Sequence, residues 1–343
     1  MKIMKLRERI QISSWLILTV LLLTACGSSQ TATLALAQSG TPSSSALTGQ
    51  TMHTTKVEFV WKSGFARPFA VAVDKQANVY ITDPLTLPSV YKLDSNSQSL
   101  PGWGKTGNLD GQFFKPAGVA IDSQGNVYVT DTNPLNPRVQ KFDGSGGFLL
   151  KWGSVGKGNG QFERGPAGIA IDAQNNVYVT DIDSRYPSIQ KFDSQGHFLL
   201  KWGSVGTGDG QFNAPYGVAV DKQGNVYIAD SGNYRVQKFD SQGHFLLKWG
   251  SQGNADDQLS SLNGVAVDTI GNVYVIGFGN SYVKKFDSQG QFLMKWGSYG
   301  TGDGQFLSPS AIAIDQQDNV YVASYSESDI TIGSVQKFRQ VKS

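Results

Sequence analysis

One cysteine and three histidines have the widest chemical range of any residues in this 343-residue chain. Three imidazoles could hold a zinc ion, but only if they converge. His53 lies in a low-complexity stretch. His197 and His244 fill the same slot in two copies of "SQGHFLLKWGS", at 194–204 and 241–251. Residues in equivalent slots of a repeat are held apart by the repeat itself, so no zinc centre is expected. A Ser-His-Asp set needs a histidine beside its nucleophile, and none is left over for one. "GTGDGQF", at 206–212 and 300–306, has the glycines of a phosphate-cradling loop, yet no Lys-Ser/Thr follows it. It reads as a connecting loop. The chemistry that remains is that of aromatic rings and cations, which suits recognition better than bond breaking.

Cys26 has a different setting. "MKIMKLRER" is basic, "WLILTVLLLTA" at 15–25 is apolar, and Cys26 follows at once. Eleven residues span roughly 16 Å as a helix, about half a bilayer core. A signal peptide over 1–25 fits better than a spanning segment. Leu23-Thr24-Ala25-Cys26 resembles a bacterial lipobox. The resemblance implies cleavage before Cys26, lipid on its sulfur and an extracytoplasmic protein held on a bacterial membrane. Residues 26–55, rich in Ser, Thr, Gly and Ala, read as a flexible tether. The net charge is +2, and the first 25 residues hold more than all of it. A near-neutral body gives no general reason to expect nucleic acid.

The elements that must position the rings and cations come from a repeat. The phrase Val/Ile-Asp-x-x-x-Asn-Val-Tyr places its Asp at 74, 122, 172, 221, 268 and 315, a period of 47 to 50. Each unit reads as four short strands. In the fourth these are "YGVAVD", "NVYIAD", "RVQKFD" and "HFLLKWG". β-Branched and aromatic residues fill them, and turn residues bound them. The turn after each phrase Asp needs a left-handed residue, at Ala77, Gly125, Asn175, Gly224, Gly271 and Asp318. Six units of four antiparallel strands predict an all-β, six-bladed propeller over 56–343. Trp103, Trp152, Trp202, Trp249 and Trp296 lie on the fourth strands of units one to five. The sixth unit has no fourth strand, and Trp61 lies ahead of the first. Residues 56–61 are therefore expected to complete the last blade.

The unit "GQFNAPYGVAVDKQGNVYIADSGNYRVQKFDSQGHFLLKWGS" resembles an NHL repeat. Six such units cover the whole body, and the resemblance implies a six-bladed propeller. Relatives of that shape include lactonases with a channel calcium held by carboxylates and amides, and amidating lyases with a three-histidine zinc. Here the channel slots offer one amide, Asn263, and no carboxylate, so no metal or other cofactor is expected. A propeller hydrolase or lyase working at the channel stays as the alternative to a binding protein.

Comparison of the units separates scaffold from variation. The first-to-second and third-to-fourth turns hardly change. The second-to-third loops, on the other face, differ in every blade, and such loops on a rigid scaffold commonly carry binding. At the channel mouth the first strands offer Phe69, Ala117, Ala167, Tyr216, Asn263 and Ser310. Arg67, Lys115 and Arg164 stand just before them. Tyr186, Tyr234, Phe278, Tyr282 and Tyr325 are placed on the outer loops of the same face. Arg235 is included among the contacts, although Asp131 with Arg138 and Asp230 with Arg235, across the second-to-third loop of one blade, read first as loop-bracing salt bridges rather than as substrate capture. The expected ligand is a protein, peptide or glycan met by Arg67, Phe69, Lys115, Arg164, Tyr186, Tyr216, Tyr234, Arg235, Asn263, Phe278 and Tyr325. The expected state is a monomer.

Overall fold

The structure, a computed structural model, describes residues 55–342 apart from Pro88 and Gly279. The lipobox, Cys26, His53 and nearly all of the tether lie outside the described residues.

Alternating β-branched and aromatic residues build six four-stranded antiparallel sheets. Blade one is Ala70–Val73, Val79–Thr82, Val90–Leu93 and Ser99–Trp103. Blade two is Pro116–Ile121, Val127–Asp131, Arg138–Phe142 and Phe148–Trp152; blade three is Pro166–Ile171, Val177–Asp181, Ser188–Phe192 and Phe198–Trp202. Blade four is Pro215–Val220, Val226–Asp230, Arg235–Phe239 and Phe245–Trp249; blade five is Leu262–Val267, Val273–Gly277, Val283–Phe286 and Phe292–Trp296. Blade six takes Ser308–Ile314, Val320–Tyr325 and Gly333–Lys342 from the end of the chain, and Thr55–Phe65 pairs with Gly333–Lys342 as its outermost strand. Each innermost strand packs beside its neighbours in chain order, and that of blade one also packs beside that of blade six, which makes a ring.

Burial follows position in the blade. The second strands are buried throughout, because both faces of the sheet pack on another blade. The fourth strands alternate, with Leu149, Leu199, Leu246 and Leu293 exposed at the rim. The left-handed slot appears in all six blades, with φ of 61° at Ala77, 87° at Gly125, 63° at Asn175, 84° at Gly224, 92° at Gly271 and 62° at Asp318. The phrase Asp holds that turn. In blade two Asp122 Oδ1 accepts from the Gln124 and Asn126 amides, and Oδ2 accepts from Asn126 Nδ2 and Tyr128 Oη. The phenol is thereby tied to the turn, and burial with the adjacent carboxylate holds its pKa far above the ordinary tyrosine value.

The tryptophans join blades. Trp103 lies against Gly146 in the next blade, so close that a Cβ there would fall 2.6 Å from the indole. Trp152 meets Gly196, Trp202 meets Gly243 and Trp249 meets Gly290 in the same way. Trp61 stands edge-on to Tyr321 at 5.9 Å and donates from Nε1 to Ser95 O at 3.2 Å, a carbonyl of blade one.

Candidate functional site

The channel is narrowed by the residues that line it. Gly118, Gly168 and Gly217 sit in the middle of their first strands, where a Cβ would lie 2.4, 2.2 and 2.8 Å from the carbonyls of Ala167, Tyr216 and Asn263. Neighbouring inner strands can approach this closely only because these residues lack a side chain. The cavity they leave holds about 80 Å³, well under the ~300 Å³ at which ligand pockets usually begin. Its lining is Ala, Gly, Val and Ile, with Phe69, Tyr216, Asn263 and Ser310 at the mouth. No carboxylate or histidine lines it. Among the described residues no three His, Cys, Asp or Glu converge in a metal-holding group.

Several polar groups at the mouth serve the ring. Thr82 Oγ1 donates to Ala117 O at 2.5 Å, Thr130 Oγ1 to Ala167 O at 2.8 Å and Thr180 Oγ1 to Tyr216 O at 2.8 Å. Each bond joins one blade to the next. Blades four, five and six carry Ala229, Ile276 and Ala323 in place of that threonine. In blades five and six Asn263 Nδ2 donates to Pro309 O at 3.0 Å and Ser310 Oγ to Pro68 O at 2.6 Å. Asn263 is 5% exposed. Its amide is used in blade-to-blade bonding, which corrects the reading of it as a free donor at the mouth. In blades five and six the signal lay in the sequence, since a short polar first-strand residue appears where the threonine is lost.

Arg235 is the loop brace that its pairing with Asp230 suggested, which removes it from the ligand contacts. It is buried, with Nε on Asp230 Oδ2 at 2.8 Å, Nη1 on Thr207 O at 2.6 Å and Nη2 on Gly208 O and Gln211 O, both at 2.8 Å. Those bonds brace the loop that enters the blade, and its forked donors are engaged with the protein itself. Arg138 does the same with the carbonyls of Asn108, Leu109 and Gln112, and reaches Asp131 at 3.4 Å. Tyr234, beside Arg235, is half-buried in the left-handed region at φ 54°.

Five of the remaining candidates come together. Phe69 of blade one and Tyr216 of blade four meet across the axis with ring centroids 6.4 Å apart. Tyr325 is corrected from an outer-loop position: it ends the second strand of blade six and is 2% exposed. Phe278 stands edge-on to it at 6.5 Å. Arg67 lies over the Tyr325 ring, Cζ 4.7 Å from the centroid, and Nη2 donates to Tyr325 Oη at 3.4 Å. Its Nε is buried without a hydrogen-bond partner, and no carboxylate pairs with its guanidinium among the described residues. Burial drives the Tyr216 phenol pKa well above its ordinary value; Tyr325 adds to the shift and the Arg67 charge offsets part of it. The group is an apolar platform with one half-buried cation and neutral hydroxyls.

Lys115, Arg164 and Tyr186 stand apart from that cluster, exposed on blades two and three. Tyr186 carries Lys157 over its ring at 3.6 Å. His197 and His244 lie at the opposite end of their blades, bonded through Nδ1 to Asp193 and Asp240 at 2.8 Å and about three-quarters exposed.

The NHL repeat family matches residues 113–142 and 212–239. Those stretches run from the loop strand entering blades two and four to the end of their third strands. No curated protein sequence matches the chain. Among solved structures, a gluconolactonase from Xanthomonas campestris is similar at 15% identity and a TM-score of 0.55, covering 83% of this chain and 87% of its own. A virginiamycin B lyase from Staphylococcus aureus is similar at 10% identity and a TM-score of 0.54, covering 84% of this chain and 100% of its own. At such identities the likeness is one of fold. The matched repeats, the turn built on an Asp in every blade and the six sheets in a ring make the protein an NHL-repeat six-bladed β-propeller.

Proposed function

We propose that the protein is a recognition module, tethered by lipid on Cys26 to the outer side of a bacterial membrane. It takes a protein, peptide or glycan at the channel mouth and the variable loops around it. The observation that carries this reading is Arg67: a half-buried guanidinium with an unpartnered Nε, set among Phe69, Tyr216, Phe278 and Tyr325. Aromatic anchors around a cation are common in binding hot spots. The lack of a carboxylate partner suits a ligand with an acidic group.

The test is an array of acidic glycans and of peptides with free or amidated C-termini, probed with the full-length protein. Arg67→Ala and Tyr325→Phe are expected to weaken any specific hit at least tenfold, while His197→Ala with His244→Ala leaves it unchanged. The reverse pattern would move the working face to the histidine side. Cys26→Ser is expected to leave the detergent-soluble membrane fraction; unchanged partitioning would remove the lipid anchor.

The second reading, a hydrolase or lyase at the channel, draws on the fold shared with a gluconolactonase and a virginiamycin B lyase. Gluconolactone hydrolysis or virginiamycin B cleavage by the purified protein, abolished by Tyr216→Phe, would favour it.

A further inference from the structure

Blades two and four share an arrangement that blade three alters. In blade two Asp131 stands opposite Arg138 on the neighbouring strand, and in blade four Asp230 stands opposite Arg235. In blade three the residue opposite Asp181 is Ser188. Two positions on, Asn133 of blade two is matched in blade three by Asp183. In blade two Asn133 Nδ2 donates to Asn108 Oδ1 at 2.8 Å, and Arg138 donates to three loop carbonyls. Both replacements therefore act in one direction. They remove donors, add oxygens and change a charge-balanced set into one with two carboxylates.

These side chains are out of water, with Asp181, Asp183 and Ser188 exposed by 2%, 0% and 1%. Each carboxylate satisfies one oxygen. Asp181 Oδ2 accepts from the Glu163 amide at 2.9 Å, and Asp183 Oδ1 accepts from the amides of Arg185 and Tyr186 at 2.7 and 3.0 Å. Asp181 Oδ1, Asp183 Oδ2 and Ser188 Oγ have no hydrogen-bond partner among the described residues, where the one other buried side-chain oxygen of that kind is Tyr282 Oη. Asp181 and Ser188 are direct cross-strand partners, so their side chains share one face of the sheet. Asp183 follows Asp181 by two residues, at the start of the second-to-third loop.

The nearby cations do not complete the set. Lys201 Nζ donates to Lys157 O at 2.9 Å, the carbonyl that corresponds to Asn108 O and Thr207 O under the arginines of blades two and four. It restores one loop contact but makes no ion pair with Asp181 within 4.0 Å among the described residues. Arg185 is largely exposed and lies beside the satisfied oxygen of Asp183 at 3.7 Å and Glu163 at 3.6 Å. Lys157 extends its ammonium over the Tyr186 ring.

We propose that a hard divalent cation, calcium by preference, is bound in blade three between Asp181 Oδ1, Asp183 Oδ2 and Ser188 Oγ. It would hold the two ends of the second-to-third loop together, at the place where arginine balances the carboxylate in blades two and four. The donors are all oxygen, which suits calcium and disfavours zinc or copper. Two carboxylates match a double charge, and buried unpaired carboxylates strongly favour such compensation.

Equilibrium dialysis with radiocalcium and thermal melts of chelator-stripped full-length protein test this. The expected result is one calcium per chain and a melting temperature raised by about 3 °C or more in millimolar calcium. Ser188→Arg with Asp183→Asn, which rebuilds the blade-two set, is expected to bind no calcium at this site and to melt no lower than the calcium-free parent. Asp183→Asn alone keeps the fold and is expected to weaken binding at least tenfold. A parent that binds no calcium, or variants that bind it as the parent does, would overturn the assignment.

Discussion

Phe69 and Tyr216 stand on opposite blades and meet over the channel axis, their ring centroids 6.4 Å apart and their planes at 55°. Blades one and four lie furthest apart in a ring of six, so the contact spans the mouth. It separates the small cavity below from the Arg67 and Tyr325 group at its side.

Phe69→Ala is expected to open the mouth at a cost of about 1–3 kcal/mol, the range for a partly buried ring. Tyr216→Phe keeps the ring contact and should melt with the parent. Spectrophotometric titration of that variant should lose one phenol from the late-ionising set, because burial raises the Tyr216 pKa. Unchanged alkaline titration would show that Tyr216 is solvated.

Arg67 and Arg235 should separate by phenotype. Arg235→Ala leaves Asp230 and several loop carbonyls buried without their donor, and is expected to lower stability by about 3–5 kcal/mol. Arg67→Ala removes a cation with no carboxylate partner, so the loss should be under about 1 kcal/mol while ligand capture fails. Denaturant melts beside array binding measure both. Equal destabilisation by the two would make Arg67 another brace.

Trp61→Ala removes an indole packed on Tyr321 and bonded to Ser95, at the junction of the first strand with the last blade and blade one. A loss of about 2–4 kcal/mol is expected. A variant melting within a degree of the parent would show that the first strand contributes little to the closed ring.

Asp181 sets the expected pH dependence. Burial, the largest cause, raises its carboxyl to about 6, against hydrogen bonds from Glu163 and Asp183 that lower it. A raised acid contributes stability that is present below its unfolded value near 4 and is lost as pH rises to about 6. In chelator, Asp181→Asn should therefore be more stable than the parent by about 2 kcal/mol at pH 7.5, and equal to it at pH 4. Melts at those two values decide it; a variant weaker at both would mean the carboxylate is compensated by protein groups.

The sequence by itself determined the number of blades, the strand order and the left-handed turns, because these follow from local chemistry repeated every 47 to 50 residues. An Asp that caps its own turn and a strand that alternates need no distant partner to be recognised. It also separated the scaffold face from the variable one. The tertiary structure decided which mouth residues are free. Asn263 has the same side chain whether it faces a ligand or a neighbouring carbonyl, and only the packing of blade five against blade six directs it to Pro309 O. Likewise Arg67, Phe69, Tyr216, Phe278 and Tyr325 come from four different blades, up to 258 positions apart in the chain. No local pattern links residues so distant; circular closure brings them to one mouth, because the first-strand entries and second-strand ends of the blades open on the same face around one axis.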